Sequence, residues 1–195
     1  NYLYKIMDTI LQVINDVTND RQIKSIINSL NDNQEKSKNW LIDISKEYFD
    51  LLNNPKICVA AGWYGHLANK LTKYTDQKVL SFDIDPMTKK IGQKLYPNVW
   101  FKVEDIQDFN FTKFDVVICT SCEHLEPKLL DSMLYKVKAG ALIILQSNNY
   151  FEVKEHINCH KSLDDFDKSL KLNTTLYKGT LKLDKYDRYM IIGTK

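Results

Sequence analysis

Five short stretches of this chain hold side chains that could bind or transform a ligand, and each follows an apolar run. Ala60-Ala61-Gly62-Trp63-Tyr64-Gly65 is a tight turn whose glycines let backbone approach a ligand closely. Ser81-Phe82-Asp83-Ile84-Asp85-Pro86 offers Asp83, a carboxylate 18 residues after Gly65 and a two-oxygen acceptor suited to a pair of neighbouring hydroxyls. Val103-Glu104-Asp105-Ile106 adds an acid able to accept from an amino group. Thr120-Ser121-Cys122-Glu123-His124-Leu125-Glu126 brings Glu123 and His124 together, two groups that modest shifts in environment bring to titrate near neutrality, as a base or an orienting group must. Gln146-Ser147-Asn148-Asn149-Tyr150-Phe151 is dense in hydrogen-bond donors and acceptors, with Asn149 placed to line a pocket. Each stretch also has a plain structural reading: a strand-to-helix turn, a solvated acid, a surface helix start, a helix cap.

These stretches become a site only if the elements before them end on one edge. From Lys56 the chain alternates short apolar runs with amphipathic segments. The predicted strands are Ile57–Ala60, Lys78–Phe82, Val99–Lys102, Phe114–Cys119 and Ala141–Gln146. The predicted helices are Gly65–Lys73, Pro86–Leu95, Glu126–Lys136 and a short one near Leu163–Leu170. Such alternation implies an α/β fold of Rossmann type, a mostly parallel sheet with helices on both faces. Ligands then bind outside the carboxyl ends of the strands, where all five stretches fall. Two β-rich runs, Leu176–Leu183 and Arg188–Thr194, flank a turn at Asp184–Asp187 and predict a terminal antiparallel hairpin. Residues 1–54 read as an N-terminal helical extension, and 55–195 as the Rossmann-like unit, in one folded whole. In the extension Leu3, Ile6, Ile10, Val13, Ile14 and Val17 recur at helical spacing. Asn31-Asp32-Asn33 reads as a break, and a further helix runs from about Glu35 to Leu52. Asp85 before Pro86 reads as the cap of the following helix.

Taken together, Ile57-Cys58-Val59-Ala60-Ala61-Gly62-Trp63-Tyr64-Gly65, Phe82-Asp83-Ile84-Asp85, Glu104-Asp105-Ile106 and Phe114-Asp115-Val116-Val117-Ile118-Cys119 resemble motifs one to four of the class I S-adenosylmethionine-dependent methyltransferases. The resemblance spans about Lys56 to Gln146 and, more weakly, the terminal hairpin. It implies that the Gly62 to Gly65 loop lies along the methionine moiety, that Asp83 binds ribose, and that Asp105 and Ile106 flank adenine. The full cofactor-contacting set it implies is Ala61, Gly62, Trp63, Gly65, Asp83, Ile84, Asp105, Ile106 and Ser121. Glu123, His124 and Asn149 would handle the acceptor, with S-adenosylhomocysteine as the product. Where the family usually carries an acid this chain has Val59, and where it carries glycines this chain has Ala61 and Trp63. The expected activity is methyl transfer to a small molecule. The alternatives are a non-catalytic protein that binds S-adenosylmethionine or adenosine, and a transferase moving another group from the sulfonium.

Other classes fit less well. Trp63 and Tyr64 stand where a nicotinamide enzyme's backbone must close on a pyrophosphate. After the fourth strand there is neither the Asn/Asp-Pro-Pro-aromatic signature of DNA amino-methyltransferases nor the Pro-Cys nucleophile of cytosine enzymes. The 27 basic and 25 acidic residues are intermixed, with no basic run to track a phosphate backbone, so a nucleic-acid partner is unsupported. No window approaches the ~20 apolar residues of a membrane span. The residues from Tyr2 to Val17 have no signal-peptide core, and Cys58, Cys119, Cys122 and Cys159 make no disulfide scaffold, so the expected compartment is the reducing cytoplasm. Cys119, Cys122, His124, His156 and His160 supply possible zinc ligands. Cys119 falls in a strand and the spacing matches no familiar zinc pattern, so no metal is expected. Asn149, His156 and His160 are expected to close over the substrate with the N-terminal helices, whose residues Leu3, Ile6, Ile10 and Ile14 also suit a homodimer seam.

Overall fold

The computed structural model describes residues 2–16 and 19–195, with side chains at 7–16 and 19–195. Val17 and the side chains of Leu3 and Ile6, assigned above to an apolar stripe, lie outside the described residues. Three helices come first, α1 (Tyr2–Asn15), α2 (Asp20–Ser29) and α3 (Asp32–Asp50). The alternating region follows as β1 (Ile57–Ala60), α4 (His66–Leu71), β2 (Leu80–Asp83), α5 (Pro86–Leu95), β3 (Trp100–Val103), β4 (Val116–Cys119), α6 (Pro127–Lys136) and β5 (Leu142–Asn148). The chain ends in α7 (Leu163–Ser169), β6 (Thr174–Lys182) and β7 (Asp187–Thr194), and short 3-10 turns stand at Thr72–Tyr74 and Cys122–His124.

All seven strands form one sheet in the order β3-β2-β1-β4-β5-β7-β6. The first five are mutually parallel, and β7 runs antiparallel between β5 and β6. Strand side chains alternate between faces, so the continuous apolar runs split into two cores. Cys58, Leu80, Val117, Ile143 and Ile191 face Leu130, Met133 and Leu134 of α6 and Phe166 of α7. Ile57, Val59, Val116, Ile118, Ile144 and Met190 face Leu41, Ile42 and Phe49 of α3 and Leu67 and Leu71 of α4. The helical extension is therefore part of the second core, through α3.

Helix starts follow local capping chemistry. Asp85 accepts from the Met87 amide at 2.8 Å with Pro86 in the first turn, as expected. The helical pattern breaks at Asn31 as expected, and Asn31 accepts from the Gln34 amide at 2.9 Å, so α3 opens at Asp32, three residues before the expected start at Glu35. An asparagine before an apolar stripe satisfies free helix-end amides as readily as it ends a helix. The fifth strand also runs two residues beyond its predicted end, to Asn148, because the antiparallel partner β7 pairs with it up to Arg188.

The turn after β1 has the least ordinary backbone. Ala61, Trp63 and Gly65 all have positive φ, at 48°, 51° and 81°. Left-handed backbone costs a residue bearing a Cβ roughly 1–2 kcal/mol, so the two non-glycine positions need a compensating contact. Trp63 finds one. Its ring stacks on Tyr64 at 5.5 Å, its indole N–H reaches Ser25 Oγ at 3.3 Å, and the Tyr64 hydroxyl reaches the same oxygen at 2.9 Å. Val13 of α1, Ile26 of α2 and Ile91 of α5 enclose Tyr64, and Trp63 packs against this group.

Gly65 tolerates no such compensation, because a Cβ there would stand 2.4 Å from the Phe101 ring. Gly65→Ala is expected to lower stability by ~2–4 kcal/mol, combining the backbone cost with overpacking. Gly140→Ala, at φ 77° with open space around it, should lose only ~1–2 kcal/mol. Urea denaturation of both variants checks this; equal losses would show that Phe101 moves aside freely.

Candidate active site

The parallel strands end on one edge, and β1 and β4 are neighbours there whose following connections run to opposite sides, with β2 and β3 on one and β5 on the other. Ligands collect at such a switch point. On the β1–β2 side, the Asp83 carboxylate closes the turn. Its Oδ2 accepts from the Trp63 amide at 3.1 Å and its Oδ1 from the Asp85 amide at 3.1 Å. Burial pushes the Asp83 carboxyl up, and the Asp85 and Trp63 amides oppose that shift. A carboxylate offers about four lone-pair directions, so each oxygen keeps capacity for a further donor. Gly62 sits behind, its amide donating to Phe82 O at 2.9 Å, and Ile84 projects into solvent.

Along β3, Asp105 is half-buried and its Oδ1 accepts from the Gln107 amide at 2.8 Å. Ile106 is only 7% exposed and belongs to the core beside Phe82 and Phe109, so it packs downward. Val59, where an acid was expected by resemblance, is 1% exposed inside the other core.

The β4–β5 side holds the strongest electrostatics. Ser121 leads into the 3-10 turn Cys122–His124, which carries Glu123 into the interior at 3% exposure and leaves His124 exposed. Glu123 Oε1 pairs with Arg188 Nη1 at 3.0 Å, and both side chains are buried. Arg188 Nε donates to Gln146 Oε1 at 3.3 Å and Nη2 to the Thr120 carbonyl. Ser37 of α3 donates to the same Gln146 oxygen at 2.9 Å. One guanidinium thus joins the ends of β4, β5 and β7 to α3. Glu123 Oε2 has no hydrogen-bond partner, although it is buried.

The segment after β5 folds back over this turn. Asn158 donates its amide to Glu123 O at 2.9 Å and its side chain to Cys122 O at 3.3 Å. His156 stands edge-on to His124 with ring centres 4.7 Å apart. His160 is buried and lies 3.3 Å from Ser147 Oγ. Asn149 Oδ1 accepts from the Asp187 amide at 2.7 Å, which ties the end of β5 to the start of β7. Of the three residues expected to handle an acceptor, Glu123 and His124 are brought together and Asn149 serves the neighbouring strand junction.

No protein-family model and no curated protein matches the chain. Solved structures do resemble it. The N-methyltransferase NodS from Bradyrhizobium japonicum WM9, in complex with S-adenosyl-L-homocysteine, superposes with a TM-score of 0.69 at 13% identity, covering 96% of this chain and 98% of that one. The fold is that of the class I methyltransferases. Magnesium protoporphyrin IX methyltransferase from Synechocystis PCC 6803, with bound S-adenosylmethionine, gives a TM-score of 0.63 at 17% identity over 97% and 90% of the two chains. A putative sarcosine dimethylglycine methyltransferase from Galdieria sulphuraria gives 0.64 at 12% over 83% and 86%. On the class I methyltransferase frame, Arg188 is an organiser outside the five stretches, and Gln146, which opens the fifth of them, is bound to it. The available signal was an arginine opening the otherwise apolar run Tyr189-Met190-Ile191-Ile192. Among the described residues no helix is long and apolar enough to cross a membrane.

Two measurements probe these charges. Arg188→Met strands a buried carboxylate and should cost ~3–5 kcal/mol, most of which Arg188→Met/Glu123→Leu should restore; equal losses in single and double variants would mean that the pair is not coupled. Lys38 of α3 is also buried, and desolvation, reinforced by Arg188, pulls its amine down to about 7. Between about 7 and its ordinary 10.5 the unfolded chain then binds the extra proton, so stability rises with pH in that window. Relative to Lys38→Met, wild type should gain up to ~1.4 kcal/mol per pH unit between pH 7 and 9. A flat difference would place the amine in water.

Proposed function

We propose that the chain is an S-adenosylmethionine-dependent methyltransferase acting on a small-molecule acceptor. The observation that carries this reading is Asp83: a largely desolvated carboxylate at the end of β2, held by the amides of Trp63 and Asp85 with acceptor capacity left on both oxygens. That acceptor chemistry fits a ribose diol, and the neighbouring turn keeps left-handed backbone at Ala61, Trp63 and Gly65, where the resembling motif has glycines. Asp105, with one oxygen on its own loop, suits an adenine amino group. The same fold carries S-adenosylhomocysteine in NodS and S-adenosylmethionine in the protoporphyrin enzyme.

Bound there, S-adenosylmethionine would supply an electrophilic methyl group on its sulfonium. The chain's own contribution is to orient the acceptor from the β4–β5 side and to keep it in line with that methyl, which accounts for most of the rate in transfers of this kind. His124, exposed at the turn, is the group suited to orient the acceptor, while Glu123 is committed to Arg188 through one oxygen.

A second reading, binding without turnover, draws on Val59. With that residue in the core, β1 offers no carboxylate to the methionine ammonium.

Calorimetric titration of S-adenosylmethionine and S-adenosylhomocysteine into wild type and Asp83→Ala tests the proposal. Micromolar binding is expected, weakened by more than ~1.4 kcal/mol, tenfold, in Asp83→Ala. Absence of binding to either ligand would overturn it. Binding with no methyl transfer to any pool of cell metabolites would favour the second reading.

A further inference from the structure

The buried Glu123 Oε2 without a partner marks a place where a positive group is missing. Two imidazoles stand near the Glu123 carboxyl group. His124 Nδ1 lies 3.0 Å from the Glu155 carbonyl and His156 Nδ1 lies 2.9 Å from the Tyr150 carbonyl. A carbonyl can only accept, so both Nδ1 atoms carry the proton and both Nε2 atoms keep a lone pair. This is how metal-binding histidines are usually oriented, with the remote nitrogen donating to a backbone oxygen. One ligand atom from each of Glu123, His124 and His156 lies within 4.8 Å of the other two. Around an ion with ~2.1 Å bonds, ligand atoms stand ~3.4 Å apart in a tetrahedron, so an inward shift of each ligand atom by under about 1 Å completes the shell.

We propose that Glu123, His124 and His156 form a binding site for a divalent transition-metal ion, a two-histidine, one-carboxylate set beside the carboxyl ends of β4 and β5. The ligand types select an ion of the zinc, cobalt or nickel class over magnesium or calcium, which prefer oxygen alone. Arg188 holds Glu123 Oε1 and so aims Oε2 at the ion, as ligating carboxylates are commonly held by a hydrogen bond from behind. The guanidinium is itself cationic, and the carboxylate between the two positive charges offsets their repulsion. The cysteines take no part: Cys122 Sγ is turned to the Cys119 carbonyl and Cys159 Sγ to Asn148 Oδ1. This differs from the combination of Cys119, Cys122, His124, His156 and His160 weighed from sequence, where no metal was expected. Three protein ligands leave at least one coordination position open, and an oxygen or nitrogen of the acceptor would fill it. That last role rests on the methyl-transfer reading, whereas the site itself does not.

The test uses the full chain, stripped with chelator and titrated with Co²⁺ alone. The expected result is one equivalent bound, with visible d–d absorption, no thiolate charge-transfer band, displacement by Zn²⁺, and a metal-dependent rise in Tm. His124→Ala and His156→Ala, checked for folding by circular dichroism, should each weaken binding at least about tenfold. Should either variant misfold, protection of His124 and His156 from diethyl pyrocarbonate by Zn²⁺ in the wild type gives the same answer by peptide mass. No saturable Co²⁺ or Zn²⁺ binding, a thiolate band, or binding unchanged in folded histidine variants with no protection would overturn the proposal. These readouts need no S-adenosylmethionine, so failure here and failure of cofactor binding are separate results.

Discussion

The ion pair between Arg188 and Glu123 sets the terms for the rest of the molecule. Taking both charges out of water costs several kcal/mol each, and direct attraction alone seldom repays it. The guanidinium therefore needs partners for its remaining N–H groups, and it finds them at the Thr120 carbonyl and Gln146. That requirement draws β4, β5 and β7 to a common point, and through Ser37 it draws α3 onto the sheet as well. An apolar substitution of the whole network would serve stability as well or better. What the ions add is direction, since a planar fork permits one arrangement of the chain ends where oily contacts would permit several.

Across the sheet the turn after β1 meets a different constraint. Its backbone takes the conformation glycine adopts freely, yet it carries Ala61 and Trp63. The strain is offset away from the turn, in the stack of Trp63 on Tyr64 and their shared contact with Ser25. Glycine gives a loop its shape with nothing else required of the protein. Here the same shape depends on a second set of helices being in place, so the edge of the site and the helical extension stand or fall together.

How much of this could be read without coordinates varied with the length scale of the cause. Strand and helix periodicities are local, and they gave the parallel sheet, its terminal hairpin and the Asp85 cap with small errors at element ends. The place of Asp83 at the carboxyl end of β2 was legible because it follows from the strand pattern alone. The break at Asn31 was legible, but its role as the cap of α3 was not, because the same residue opens and closes helices and only the neighbouring amides tell which. The network joining Arg188, Gln146 and Ser37 was out of reach for another reason, although Gln146 itself stood in the polar stretch after the fifth strand: residues 37, 146 and 188 lie far apart in sequence and meet only after the sheet has ordered its strands. The pairing of His124 with His156 is of that kind too, since it requires the segment after β5 to double back across the turn.

The shared oxygen of Ser25 also bears on where this protein can be divided. Composition changes at about residue 54, and a gene fusion or a proteolytic cut there would look harmless on paper. It would strip α2 from Trp63 and Tyr64, leaving two large rings bare at the mouth of the site above a backbone with no reason to hold its shape. A fragment beginning at β1 would inherit the topology of its fold without the means to keep its first loop in register. The helices and the sheet thus act as one structural unit wherever the first loop is concerned.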